Sequence, residues 1–268
     1  MPSLLLIAFL SFTTIATAAW PSGKRSVWHG YERIDFSLPG DGARCILVKP
    51  KTPAKGNPWV WRARFWGHQP ALDLQLLGKG FHLTYCEVGG LFGAPPAVER
   101  WNKFHALAVQ QGLSSRPVLE GMSRGGLIIL NWASANPDKV AAIYGDNPVC
   151  NFNSWPGGKN GKFSTKDWQR CLKAYGLSAA AAPDHPQPLS PATLKPLAEK
   201  KIPIALVLGL ADMVVPAGEN GEALARNYES LGGPLKIWRK PGKGHHPHGL
   251  HPPDELTAWL LQATEKDF

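Results

Sequence analysis

The stretch PVLEGMSRGG, Pro117 to Gly126, passes from a short apolar run into a glycine-flanked serine and then into LIILNWASAN, a run rich in Leu, Ile and Ala. PVLEG predicts a short buried strand, and Arg124 to Asn136 a helix, so Ser123 falls on a sharp strand-to-helix turn. Such a turn strains the serine's backbone, and its neighbours two positions away must be tiny; Gly121 and Gly125 meet that demand. The turn also sets Ser123 at a helix amino terminus, where free N–H groups favour a developing negative charge, the Arg124 N–H being the first donor expected. A glycine-rich turn with an incidental serine is the plain alternative.

Working outward, the chain alternates strands and helices. YERIDFSL and ARCILVKP flank Pro39-Gly40-Asp41-Gly42 and predict an antiparallel hairpin. PWVWRARFW follows, then a helical stretch near residues 70–79 and the strand FHLTYCEV. Val98, Trp101, Phe104, Leu107 and Ala108 recur every three or four residues and predict an amphipathic helix over 97–111. VAAIYGDNPV, IPIALVLGLAD and LKIWRKPG read as later strands, and Leu256, Trp259 and Leu260 share one face of a closing helix from Pro253. This order implies a mostly parallel sheet covered on both faces. Residues 151–200 differ in texture and read as a cap insertion over the site, within a single domain spanning 19–268.

A serine hydroxyl needs a base, and the base an orienting carboxylate. Asp212 ends the apolar run IALVLGLA and is expected at the carboxyl edge of the sheet beside Ser123; a turn or cap aspartate is the alternative. GKGHHPHGLH, Gly242 to His251, is the histidine-rich loop after the last strand. His245, next to the flexible Gly244, is the expected base, with His246 as runner-up. Four histidines in this loop also raise a metal reading, but Pro247 and the glycines forbid a helical i, i+4 ligand pair and no acidic or cysteine partner lies nearby in sequence. No metal and no cofactor are expected. His29, His82, His105 and His185 read as structural or surface residues.

The 268 residues suffice for a complete α/β domain, and 44% hydrophobic with 18% charged residues excludes wholesale disorder. The formal charge is +9, yet Lys and Arg are scattered without a basic, aromatic-laced stripe, so no nucleic-acid partner is expected. Residues 1–18 read as a signal peptide, an apolar run from Leu4 to Thr17 ending in Ala16-Thr17-Ala18, which makes the protein secreted or periplasmic. No later stretch is long and apolar enough for stable membrane insertion. Export suits Cys45, Cys86, Cys150 and Cys171 forming disulfides, with Cys150 and Cys171 near enough in sequence to staple the insertion; the alternative is that some are free buried thiols, Cys45 and Cys86 being the candidates.

GMSRGG, LGLADMVVP and GKGHHPHGL, in that order, resemble the α/β-hydrolase superfamily over residues 30–265, in a branch close to exported bacterial esterases and prolyl-oligopeptidase-like hydrolases. The resemblance implies an eight-strand sheet, a cap and an acyl-enzyme mechanism. The departure is the first oxyanion loop, where Arg64-Phe65-Trp66-Gly67-His68 stands in place of His-Gly; Phe65 or Trp66 is then the second donor, and His68 a pocket residue. The reaction expected is carboxylic ester hydrolysis on a small-molecule or carbohydrate ester, with Arg64, His68, Asp146, Trp155 and His246 on loops facing the substrate and Trp66 on the oxyanion side. A prolyl-oligopeptidase-like peptidase is the nearest rival, and a non-catalytic binding protein on the same scaffold the third reading.

Overall fold

The computed structural model describes residues 19–268; the signal-peptide reading of residues 1–18 lies outside the described residues. In chain order the strands are β1 (Lys24–Trp28), β2 (Tyr31–Ser37), β3 (Arg44–Val48), β4 (Trp59–Arg62), β5 (His82–Cys86), β6 (Val118–Met122), β7 (Ala142–Asp146), β8 (Ile204–Gly209) and β9 (Leu235–Lys240). They form one nine-stranded sheet in the order β1-β2-β3-β5-β4-β6-β7-β8-β9. The first three strands and β5 pair antiparallel, and the rest pair parallel. The expected hairpin is β2–β3. The eight strands implied by the resemblance become nine because KRSVW adds an edge strand, β1, through a turn at His29 and Gly30.

Parallel strands buried on both faces alternate between two cores. Along β8, Ile204, Leu206 and Leu208 face one core while Ala205 and Val207 face the other. The first core is closed by α2 (Pro95–Gln110), α3 (Gly125–Ala135), α5 (Pro191–Glu199) and α6 (Gly221–Ser230), through Trp101, Phe104, Ile128, Leu194 and Tyr228. The second is closed by α1 (Ala71–Gly78) and α7 (Asp254–Thr264), through Leu72, Leu76, Leu256 and Leu260. Trp61 and Trp101 stack with ring centroids 3.8 Å apart, locking α2 onto the middle of the sheet.

Residues 151–200 divide between two layers. The first part, with α4 (Thr165–Tyr175), packs Phe152, Trp155 and Cys171 against Phe92, Leu127 and Val215 beside the elbow. The last part is α5, whose Leu194 and Leu197 belong to the sheet-facing core. All four cysteines are free buried thiols, which corrects the disulfide expectation. Cys171 packs on α4 within the small cluster around Phe92, whereas Cys150 lies in the sheet core, so the two face different surroundings. Among the described residues no helix is long and apolar enough to cross a membrane.

Candidate active site

The parallel strands end on one rim, and β6, β7, β8 and the loop after β9 bring four segments together there. Between β6 and α3, Ser123 has φ 48°, a left-handed conformation that costs a non-glycine residue about 1–3 kcal/mol. Three backbone hydrogen bonds hold it: Ser123 N donates to Asp146 O at 2.9 Å, and Ser123 O accepts from Gly126 N at 2.9 Å and Val149 N at 2.8 Å. A Cβ on residue 121 would sit 2.6 Å from Ile129 Cδ1, and one on residue 126 would sit 2.5 Å from Val149 O. A Cβ on residue 125 meets nothing nearer than Ala63 Cβ at 3.4 Å. The steric demand thus falls on Gly121 and Gly126, not on Gly121 and Gly125 as the motif suggests.

Asp212, on the turn after β8, is 4% exposed. Its Oδ1 accepts from the N–H groups of Val214 and Val215, both at 2.8 Å, and its Oδ2 meets His245 Nδ1 at 2.6 Å. His245 Nε2 lies 2.9 Å from Ser123 Oγ. A carboxylate only accepts, so Nδ1 carries the proton and Nε2 presents its lone pair to the serine. His246, the runner-up base, is exposed and makes neither contact. Asn147, which sequence reading overlooked, ties the loop to the sheet: its Oδ1 accepts from Gly209 N at 2.7 Å, and its Nδ2 donates to His245 O at 3.1 Å.

Ser123, His245, His246, His248, His68, Phe65 and Trp66 line a cavity of about 370 Å³. Larger clefts of about 480 and 550 Å³ lie beside α2 and under the amino-terminal strands, away from this rim. Among the described residues, the backbone N–H groups of Arg124, Phe65 and Trp66 donate to no backbone carbonyl, as oxyanion donors require before substrate arrives. The loop carrying Phe65 and Trp66 rests on buried Arg62, which pairs with Asp73, donates to the carbonyl of His68, donates from Nε to Arg64 O at 3.3 Å and lies 3.3 Å from Glu120 Oε1. Burial, then the charge of Asp73, pushes the Glu120 carboxyl well above its usual range, against the pull of Arg62. Partial desolvation lowers His68 and His246, and the charge of neighbouring His248 adds to both shifts.

Three residues expected to face substrate do not reach the cavity. Asp146 is 0% exposed: Oδ1 takes His248 Nδ1 at 2.5 Å, and Oδ2 accepts from Gly249 N at 2.6 Å and the Tyr144 hydroxyl at 2.9 Å. Trp155 is 9% exposed, its ring against Phe92 and 5.1 Å beneath the Arg124 guanidinium. Arg64 turns toward Glu87, 3.5 Å from Oε1, and away from the serine's cavity. His68, His246 and Trp66 do line it.

No family model matches the sequence, and no curated protein matches it. Solved structures do. A puromycin-hydrolyzing peptidase of Mycobacterium tuberculosis superposes with a TM-score of 0.70 at 17% identity, over 87% of this chain and 39% of its own. Acylaminoacyl peptidase of Pyrococcus horikoshii gives a TM-score of 0.63 at 14% identity, over 89% and 42%. Dipeptidyl peptidase 4 of Porphyromonas gingivalis gives 0.65 at 15% identity, over 87% and 35%. The chain therefore spans well under half the length of these proteins. At such identities the likeness is one of fold, and the fold is that of the α/β-hydrolases.

Proposed function

We propose that the chain is a serine hydrolase that cleaves small acyl-linked substrates, short aminoacyl or peptidyl amides foremost, through an acyl-enzyme on Ser123. The observation that carries this reading is the continuous relay from Ser123 Oγ to His245 Nε2 at 2.9 Å and from His245 Nδ1 to Asp212 Oδ2 at 2.6 Å. His245 takes the serine proton as Oγ attacks the carbonyl, and Asp212 steadies the imidazolium that forms. The Arg124 N–H and a donor from Phe65 or Trp66 hold the oxyanion. His245 then protonates the leaving amine, and water releases the acid by the same steps. The amide preference is supported by the solved relatives, which are named as peptidases.

A second reading, carboxylic ester hydrolysis, is favoured by the cavity wall. Phe65, Trp66 and the histidine rings line the cavity, and no Asp, Glu, Lys or Arg side chain stands among them to grip a peptide terminus. The carbohydrate version of that reading is weaker, since buried Trp155 and Asp146 are withdrawn from the cavity and leave Phe65 and Trp66 as its aromatic faces. Export rests on the pattern in residues 1–18, and amino-terminal sequencing of secreted protein tests it by cleavage after Ala18.

A panel of aminoacyl p-nitroanilides and p-nitrophenyl esters, with Ser123→Ala as control, decides between the two. Turnover of anilides lost in the variant supports the peptidase reading, and turnover of esters alone the esterase. Absence of fluorophosphonate labelling at Ser123 would sink both.

A further inference from the structure

We infer that the rim holds a transition-metal site, formed by His245, His246 and His248, through which a borderline ion such as Zn²⁺ reversibly switches the hydrolase off. One ring nitrogen from each of the three lies within 4.8 Å of the others. Their ring centroids are 5.0, 4.9 and 4.9 Å apart, with planes crossing at 76°, 79° and 87°, so the rings stand around a common point and do not stack. His68 flanks the trio, its centroid 5.8 Å from that of His248 and 6.2 Å from that of His246.

The protons are already arranged for metal binding. A metal-ligating histidine commonly gives its other ring N–H to a carboxylate, which fixes the tautomer and raises the basicity of the free nitrogen. Two of the three rings do this: His245 Nδ1 donates to Asp212 at 2.6 Å and His248 Nδ1 to Asp146 at 2.5 Å. Both carboxylates are buried, and both histidines are left with Nε2 as the ligand atom. Acyl transfer needs one base, so the Nε2 of His248 has no part in the proton relay and is left available to an ion.

The third ring belongs to His246, which is exposed and has no hydrogen-bond partner among the described residues. Around a tetrahedral zinc with Zn–N of about 2.1 Å, ligand nitrogens stand about 3.4 Å apart. The trio must therefore close somewhat, and His246 is the ring free to move. Water, or a ring nitrogen of His68, completes four-coordination. The ion would occupy the lone pair that His245 offers to Ser123, so binding and proton transfer exclude each other. That inhibitory half rests on the proposed hydrolase reading; the binding half does not.

The test has separate readouts. Titration of the protein with Zn²⁺, followed calorimetrically, is expected to show one ion per chain, and Co²⁺ to give the visible absorption of a four-coordinate, nitrogen-rich site. His246→Ala, at an exposed position that should not disturb folding, and His248→Ala each weaken Zn²⁺ binding by about tenfold or more, whereas His185→Ala, remote from the loop, leaves it unchanged. Against the best substrate of the panel, Zn²⁺ inhibits, chelator restores the rate, and the inhibitory midpoint rises by the same factor in His246→Ala. Binding that ignores both loop variants, or absence of a one-to-one event at micromolar Zn²⁺, overturns the site. Binding that follows the trio while turnover is untouched overturns the switch and turns suspicion on His245 as the base. Missing fluorophosphonate labelling at Ser123 instead marks failure of the hydrolase reading.

Discussion

His248 Nδ1 meets Asp146 Oδ1 at 2.5 Å, side by side with the 2.6 Å contact between His245 and Asp212. Asp146 sits at the end of β7, and its other oxygen accepts from Gly249 N, so one buried carboxylate clamps the far side of the histidine loop to the sheet. Asp146→Ala leaves His248, the Gly249 N–H and the Tyr144 hydroxyl unpaired, each lost charge-assisted bond being worth about 1.5–3 kcal/mol. We expect a lower melting temperature and a kcat reduced by about tenfold or more, with KM changed little. A variant with full kcat would show that the loop does not depend on this clamp.

Within the relay, Asp212→Asn turns an acceptor into a donor facing His245 Nδ1 and favours the wrong tautomer. The expected loss in kcat is about 10⁴-fold, close to that of Ser123→Ala, with the fold retained by circular dichroism. His245→Ala should match it, while His246→Ala falls far short of that loss. Equal losses for the two histidines would reverse their assignment.

The parts of this molecule legible in sequence were those whose signal is local. Fully buried parallel strands such as IALVLG read as apolar runs, and the order of Ser123, Asp212 and His245 follows from the strand ends that carry them. The edge strand KRSVW was missed because its side chains are largely exposed and carry no alternation strong enough to notice. So was α6, which turns only Gly221, Leu224, Ala225 and Tyr228 inward. At the site, a strand-end aspartate reads alike whether it faces a cavity or another side chain, so the sequence does not separate Asp146, which holds His248, from a substrate contact. Arg62 and Asn147 gain their roles from partners far away in the chain, and no spacing in the sequence announces them.

The elbow offers a steric test. Gly126→Ala drives a methyl group to 2.5 Å from Val149 O and 2.7 Å from Pro148 Cβ, whereas Gly125→Ala meets only ordinary contacts. Forcing extra volume into a packed site costs about 1–3 kcal/mol, so urea denaturation should show Gly126→Ala destabilised by that much and Gly125→Ala within about 1 kcal/mol of the parent. Because Gly126 N donates to Ser123 O, activity should fall with stability in the first variant only. The reverse ranking would mean that the G-x-S-x-G spacing itself, and not the contact with Val149, sets the demand.

Glu120 supplies the last prediction, in pH. Burial raises its carboxyl well above the ordinary 4.5, so as pH climbs past 4.5 the unfolded chain sheds this proton while the folded one keeps it. The folded state then binds more protons, and stability falls with rising pH by up to about 1.4 kcal/mol per unit until the raised value is passed. Glu120→Gln keeps the shape beside Arg62 and Asp73 but has no proton to lose. Its stability, measured by urea denaturation from pH 4 to 8, should therefore gain on the parent steadily above pH 4.5. Parallel curves for the two proteins would mean that Glu120 is ionised beside Arg62 after all, with the guanidinium's attraction outweighing burial.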